Sequence, residues 1–188
     1  MNRLIIENSS PTGGIVLATD GSIVLEQSFQ GSAQLASLLD SAIKRIREFD
    51  EIVVGIGPGS YTGLRVAVAT ALGIKLARSC RTFGCPSVLG YPEDNYVVVG
   101  DARRSTCFLA EIRDGRMRDL PRLVPKAEIA AEVAKTGIPQ VFATTPLPEL
   151  ADVEVVLPQA RYLLGREKSY QELDEPIYLK EPHITRPG

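Results

Sequence analysis

The stretch that predicts the fold of this protein, residues 52–78, is IVVGIGPGSYTGLRVAVATALGIKLAR. Its first five residues form a continuous apolar run, which is typical of a strand buried on both faces of a parallel sheet. A glycine-rich turn follows, and residues 62–78 are then apolar or small apart from three basic side chains. A helix that is apolar all round is buried on more than one side. We therefore expect one side of this helix to face the sheet, and the other to contact more of this chain or a partner.

The glycine turn between this strand and this helix is the segment that most suggests chemistry. It has neither the GxxxxGK[ST] spacing of a P-loop nor the GxGxxG spacing of a dinucleotide site. Free backbone amides at a helix N-terminus can bind an anion, and the candidate residues are Gly57, Gly59, Ser60 and Thr62. Alternatively, the glycines only form the turn and the two hydroxyls only cap the helix. The residues leave both interpretations open.

The residues before this stretch predict three strands and one helix. Apolar runs at 3–9, 14–19 and 22–29 are the strands, and Asp20-Gly21 joins the last two in a hairpin. From residue 35 to residue 49, apolar side chains recur at helical spacing and form one stripe. The order of elements up to residue 57 is therefore β-β-β-α-β.

The residues after it predict a weaker repeat of the same order. We expect strands at 95–100, 105–113, 116–123, 139–143 and 153–157, helices at 125–136 and 158–167, and an extended, proline-containing tail from residue 174. The turn Asp114-Gly115 is again a hairpin signal. The chain is thus predicted to contain two β-β-β-α-β units, residues 1–94 and 95–188, of which the second is smaller.

Composition excludes several classes of function. The 188 residues carry a net charge of −2, which argues against a protein that binds the phosphate backbone of a nucleic acid without a partner. No apolar run approaches the roughly 20 residues of a membrane helix, and the first residues lack the apolar region of a signal peptide. The three cysteines have no CxxC spacing, so neither a disulfide framework nor a zinc cage is indicated. A cytoplasmic protein is expected.

The histidine count excludes further chemistry. His183 is the only histidine, so this chain cannot build a metal site from two histidines. A Ser-His-Asp or Cys-His arrangement would need that one tail residue as its base, and no GxSxG motif is present. Hydrolysis by these routes is disfavoured.

The segment GIGPGSYTGLRVAVATALGIKLA, residues 55–77, resembles the signature of the TsaB (YeaZ) family. These are bacterial proteins needed for the threonylcarbamoyl modification of adenosine 37 in tRNA. Three further stretches agree in the same order: the apolar opening strand with its hydroxyl turn, Asp101–Arg104, and Pro176–Lys180. The resemblance implies an α/β fold of the actin/hexokinase-like (ASKHA, ribonuclease H-like) class, with two β-β-β-α-β subdomains and a reduced second one.

The resemblance also implies a role. Proteins of this family are non-catalytic scaffold subunits that bind TsaD, the catalytic paralogue, with TsaE as the third member. Their interface is built from the first two helices and also forms homodimers of the isolated protein. The resemblance implies that tRNA is contacted only through the complex. It implies no cofactor, metal or membrane. In this chain the implied contact residues are Leu39, Ile43, Tyr61, Leu64, Arg65, Val68, Ala69 and Leu72. Val68→Asp or Leu72→Asp would then abolish the complex while the chain still folds.

One departure from the family pattern concerns nucleotide chemistry. Members usually carry Asp-Thr-Ser after the first strand, where ATP-using relatives place a phosphate-facing carboxylate, whereas this chain has Glu7-Asn8-Ser9. An ATP-binding enzyme on the same fold is the alternative, with the glycine turn and Asp101 as phosphate contacts. A peptidase, a label attached to the wider family, is the third interpretation.

Overall fold

The computed structural model describes residues 1–46, 48–150 and 152–179. In chain order its strands are β1 Asn2–Glu7, β2 Thr12–Thr19, β3 Ser22–Gln30, β4 Glu51–Gly55, β5 Arg81–Cys85, β6 Tyr96–Asp101, β7 Thr106–Arg113, β8 Arg116–Met117, β9 Arg122–Pro125, β10 Val141–Ala143 and β11 Gln171–Glu172. Its α-helices are α1 Leu35–Arg45, α2 Tyr61–Arg78, α3 Ile129–Thr136 and α4 Ala160–Leu163.

The first sheet has six strands in the order β11-β5-β4-β1-β2-β3. Strands β1, β2 and β3 form the predicted antiparallel meander, and β4 pairs with β1 in parallel. The tight turn between β2 and β3 needs positive φ at both of its central residues, and Asp20 and Gly21 have φ of 48° and 80°. The prediction of a hairpin at Asp20-Gly21 is confirmed.

The second sheet repeats the arrangement of the first. Its strands run in the order β10-β6-β7-β8, and β9 also pairs with β7. The parallel pair β6–β10 corresponds to β1–β4, and the antiparallel pairs of β7 correspond to those of β2. This duplication of one β-β-β-α-β order confirms the actin/hexokinase-like fold class and the smaller size of the second unit.

The two long helices cover one face of the first sheet. Helix α2 turns Ala67, Val68 and Ala71 towards the sheet, where they join a core with Ile52 and Val54 of β4. Helix α1 ends at Arg45, earlier than its apolar stripe predicts, because the backbone at Ile46 is extended, with φ −127° and ψ 115°. The opposite face of the first sheet packs against the second sheet through a shared apolar core.

The weak signals of the second half account for most of the differences from the predicted elements. Residues 116–123 form two short strands, β8 and β9, and Pro121 between them cannot donate a hydrogen bond to a strand. Residues 153–157 contribute a single bridge, between Val155 and Ala143. The helix expected at 158–167 is reduced to the four residues of α4.

Two strands were not predicted at all. Strand β5 is five residues long and contains Gly84, so its pattern is weak. Strand β11 has two residues and exists only because it pairs with β5. Through β11 the C-terminal residues return to the first sheet, although the sequence assigned them to the second unit. The described part of the tail, residues 174–179, contains no helix, as predicted; the remainder of the predicted tail lies outside the described residues.

In the described parts of the chain, no helix combines the length and the apolarity needed to span a membrane.

Candidate functional site

The glycine turn forms a tight connection between β4 and α2. Gly57 has φ of 94°, a conformation that favours glycine, and it precedes a cis peptide bond to Pro58. Ser60 is the N-cap of α2, and its Oγ accepts a hydrogen bond from the Gly63 N–H at 3.2 Å. The local sequence therefore supplies both the turn and the start of the helix.

The turn lies against the residues that follow β1. A Cβ at residue 59 would overlap with the Ser9 carbonyl oxygen, and a Cβ at residue 63 would overlap with that of Asn8. The Ser60 N–H donates to the Ser9 carbonyl at 2.7 Å, and the Asn8 side-chain amide donates to the Gly63 carbonyl at 2.9 Å. Glycine is thus required at positions 59 and 63 for close contact between two backbone segments of this chain.

Two backbone N–H groups of the turn that could bind an anion already donate hydrogen bonds within this chain. The Gly57 N–H donates to Ser87 Oγ at 3.0 Å, and the Ser60 N–H is already bonded to Ser9. Pro58 has no N–H. Thr62 is exposed in the first turn of α2. The arrangement favours the interpretation in which the glycines form the turn and Ser60 caps the helix; an anion site at Gly57, Gly59, Ser60 and Thr62 stays a prediction.

Glu7, which the family resemblance aligns with the phosphate-facing carboxylate of ATP-using relatives, is fully buried. Its Oε1 accepts a hydrogen bond from the Ser9 N–H at 2.7 Å, whereas its Oε2 has no hydrogen-bond partner among the described residues. Burial in this apolar environment raises the pKa of the Glu7 carboxyl. The side chain closes the turn after β1 and does not face an open site, which the sequence alone did not reveal.

Asp101 closes a turn in the second unit. Its Oδ1 accepts from the Arg103 N–H at 2.9 Å and lies 3.2 Å from Lys126 Nζ. The hydrogen bond from the Arg103 backbone is the main reason why the pKa of Asp101 is lowered. Three consecutive residues of this turn, Arg103 to Ser105, have positive φ. These contacts favour the turn-capping interpretation of Asp101 over that of a phosphate contact.

A cleft of about 310 Å³ lies between the first sheet and the segment before α4. It is lined by residues 12–15, 26–28 and 157–160, so none of the candidate anion residues belongs to it. The charged group in its lining is the carboxylate of Glu26, which forms an ion pair with Arg161 at 2.7 Å. None of the residues that line this cleft is basic, so the lining offers no cationic side chain to a nucleotide phosphate.

Buried cysteines offer no nucleophile in this structure. Cys80, Cys85 and Cys107 are all buried, and burial raises the pKa of each thiol. Within residues 1–46, 48–150 and 152–179, no group of three or more His, Cys, Asp or Glu side chains could hold a metal ion. His183 lies outside the described residues.

The predicted contact residues of the two helices fall into three groups. Leu39, Leu64 and Val68 are buried in the core of the single chain. Ile43 and Leu72 are partly buried and pack against that core, while Tyr61, Arg65 and Ala69 are exposed. Val68 is only 8% exposed, so Val68→Asp would disturb folding and cannot serve as a test of docking. The interface itself stays a prediction.

One side of α2 faces outward along its whole length. We call this surface the outer face of α2; its exposed residues are Tyr61, Arg65, Ala69, Gly73 and Leu76, and the partly buried Leu72 lies at its edge. Leu76 is 88% exposed, and a Cβ at Gly73 would have no atom within 4 Å. The sequence prediction missed Gly73 and Leu76, although both continue the spacing of three or four residues from Ala69. Most of this face is apolar or small.

The N-terminal end of the outer face is joined to the C-terminal segment. The Ile177 N–H donates to the Ile56 carbonyl at 2.7 Å, which holds the segment against the glycine turn. The ring centroids of Tyr178 and Tyr61 lie 5.5 Å apart. The guanidinium carbon of Arg65 lies 5.0 Å from the centroid of the same Tyr61 ring. We call these three side chains, Arg65, Tyr61 and Tyr178, the Arg65 stack.

Comparisons with known proteins found a matching family model and curated relatives of this chain. Residues 30–121 match the sequence model of the TsaD family, described as tRNA N6-adenosine threonylcarbamoyltransferase. Uncharacterized proteins of Mycobacterium tuberculosis and Mycobacterium bovis are each 30% identical to this chain over 158 residues, which is 81% of this chain and 72% of theirs.

Two solved structures from Pseudomonas aeruginosa have the same fold. One is YeaZ, which is 18% identical and matches 94% of this chain and 100% of its own with a TM-score of 0.71. The other is described as an uncharacterized protein with similarity to peptidase YeaZ; it is 18% identical and matches 95% of this chain and 99% of its own with a TM-score of 0.71. Both matches extend over nearly the whole of each chain.

Proposed function

Since this chain belongs to the TsaB (YeaZ) family of tRNA-modification proteins, we propose that it is a non-catalytic subunit of a bacterial complex. This complex makes N6-threonylcarbamoyladenosine at position 37 of tRNA in the cytoplasm. The chain binds TsaD through α1 and α2, with TsaE as the third member, and tRNA reaches it only through the assembled complex.

The observation that carries this proposal is the outer face of α2. Leu76 is 88% exposed and Tyr61 is 44% exposed on a helix whose opposite side is buried in the core. Contiguous exposed apolar surface on a soluble protein marks an interaction site. Ala69 and Gly73 add positions without bulk, which allow a partner helix to approach closely. A docking surface explains why this helix is apolar on both sides.

The glycine turn supports a structural role of the same region. Its glycines and Ser60 are engaged with Ser9 and Ser87 of the same chain, and these contacts fix the start of α2. The N-terminal end of the outer face is therefore held rigidly before any partner binds. A rigid face loses little conformational entropy on association.

The proposed mechanism is a shift in the populations of the conformational states of TsaD. Docking of the outer face contributes binding energy that differs between the states of TsaD and so favours the competent one. No chemical step is assigned to this chain. Its effect on the reaction is limited by the difference between its affinities for the two states.

Light scattering tests the proposal. The protein is measured alone and then mixed with the TsaD of its own organism, and a new one-to-one species is expected. Leu76→Asp should abolish this species, whereas Leu120→Asp is the matched control, because Leu120 is 73% exposed but lies on the connection between β8 and β9. If the wild-type protein forms no complex with TsaD, the proposal is contradicted. Binding of magnesium-ATP to the protein would then be measured.

A further inference from the structure

The side chain of Glu7 lies where the turn after β1 meets the start of α2. Its Oε1 accepts a hydrogen bond from the Ser9 N–H at 2.7 Å, and the Ser9 carbonyl oxygen accepts one from the Ser60 N–H at 2.7 Å. Ser87 Oγ accepts a hydrogen bond from the Gly57 N–H at 3.0 Å. We call this cluster the β1–α2 junction; its residues are Glu7, Ser9, Gly57, Ser60 and Ser87. The junction ties the end of β1 to the residues that start α2.

The groups around the Glu7 carboxyl do not compensate a negative charge. Glu7 is 0% exposed, and its Oε2 has no hydrogen-bond partner among the described residues. The titratable groups that its charge influences are the Cys85 thiol of β5 and the Tyr91 hydroxyl, and burial raises the pKa of both. Neither group is cationic. Burial also raises the pKa of Glu7 itself, and the donors of Ser9 and Ser87 offset this effect only in part, so the enclosed carboxyl holds its proton more tightly than an exposed one.

The segments that cover this carboxyl are connections rather than parts of the sheets. Glu7 is the last residue of β1, and the residues after it connect β1 to β2; Gly57 and Ser60 lie on the connection between β4 and α2. Both connections reach the surface, because Ser10 is half-buried and Gly59 is exposed. Local opening of such connections costs less free energy than global unfolding. Opening of the junction would bring the carboxyl into water, where the pKa of a glutamate is about 4.3.

We propose that Glu7 is a proton-linked switch: while it holds its proton the β1–α2 junction is closed, and loss of the proton accompanies opening of the junction with both sheets still folded. The closed form is most stable below the pKa of an exposed glutamate and loses stability as the pH rises towards the raised pKa of the closed form. Because opening releases one proton, the population of the open form should rise about tenfold per pH unit in this range. The inference goes beyond the proposed function, since it concerns the isolated chain.

Hydrogen exchange of single amides, measured by NMR on the whole chain from about pH 5 to about pH 8, tests the switch. The reporters are the Ser9 and Ser60 N–H groups, which donate hydrogen bonds within the junction. The reference amides are those of β4, which pairs with β1 on one side and with β5 on the other. After correction for the intrinsic exchange rate, the reporters should be less protected than β4, and their protection should fall about tenfold per pH unit.

One variant, one control and one direct titration complete the test. Glu7→Gln keeps the shape of the side chain and cannot ionise, so the protection of its reporters should stay constant over the same pH range. Glu172→Gln is the matched control, because Glu172 is exposed on β11, and it should keep the wild-type dependence. The carboxyl carbon resonance of Glu7 in the wild type should titrate with a midpoint above the value of about 4.3 for an exposed glutamate. This titration needs no variant to fold.

Each outcome decides for or against the switch. Low, pH-dependent protection of the two reporters in the wild type, with constant protection in Glu7→Gln, supports it. Equal protection of the reporters and of β4 at every pH would overturn it, because the junction would then open only by global unfolding. The same pH dependence in Glu7→Gln would overturn it, since another group would then release the proton. A carboxyl of Glu7 that titrates like an exposed glutamate in the folded chain would overturn it as well.

Discussion

The carboxyl group of Glu7 occupies the space directly above Gly55. A Cβ at residue 55 would overlap with Glu7 Oε2 and would also lie 2.8 Å from Ser87 Oγ. A side chain on the last residue of β4 would overlap with the buried side chain of Glu7 from β1. This overlap explains why β4 ends in a glycine. This pair fixes the turn after β1 relative to the glycine turn that begins α2.

The contact between these residues predicts the effect of a methyl group at position 55. Gly55→Ala should lower the free energy of unfolding by about 3 kcal/mol, since Glu7 is fully enclosed and cannot move aside. Gly73→Ala is the control: its Cβ meets nothing within 4 Å, and alanine should stabilise the exposed helix by about 0.5–1 kcal/mol. Urea denaturation measures both, and equal stabilities of the two variants would contradict the packing described for Glu7.

The buried carboxyl predicts a characteristic pH dependence. Because burial raises the folded-state pKa of Glu7, its contribution to stability is fully present below the unfolded pKa, about 4.3 for a glutamate. This contribution is lost as the pH rises through the raised pKa. Glu7→Gln cannot ionise and should show no such loss, so its melting temperature should rise relative to the wild type with increasing pH. A constant difference between the two proteins from about pH 5 to about pH 9 would show that Glu7 does not titrate in this way.

The two sides of α2 predict opposite outcomes for two similar substitutions. Val68→Asp places a charge in the core and should destabilise the chain by about 4 kcal/mol or more, because Val68 is 8% exposed. Leu76→Asp should leave the stability within about 0.5 kcal/mol of the wild type, because Leu76 is 88% exposed. Thermal unfolding measures both. Comparable destabilisation by the two variants would contradict the orientation of the helix.

Ser60→Ala distinguishes the two interpretations of the glycine turn. Loss of the cap on the Gly63 N–H should cost about 1 kcal/mol of stability. If the turn only caps the helix, this cost is the same with and without inorganic phosphate. An anion site would instead stabilise the wild type with phosphate and make the cost larger in its presence. Differential scanning calorimetry in the two buffers separates these results.

Local patterns in the sequence determined much of the fold. Four local signals depend on neighbouring residues only: the Asp20-Gly21 turn, the Asp114-Gly115 turn, the spacing of the α1 stripe and the apolar run of β4. Each element was found, although α1 ends at Arg45, before the end of its predicted stripe. The order of the first half follows from them. The resemblance of residues 55–77 to a family signature led to the fold class, and the repeated strand order confirmed it.

Contacts between distant residues decided the rest. Helix α2 is apolar on all sides, so its periodicity could not show that Val68 faces the core and Leu76 faces outward; the packing of the helix on the first sheet decided this. Strand β11 forms only by pairing with β5, and Tyr178 reaches Tyr61 across more than 100 residues of chain because Ile177 is bonded to Ile56. The sequence by itself determined the elements that have a strong local signal, such as α2 and the β2–β3 hairpin, but not β5 or β11. Only the tertiary structure decided which side chains are buried, stacked or exposed, since these depend on what the completed fold places beside them.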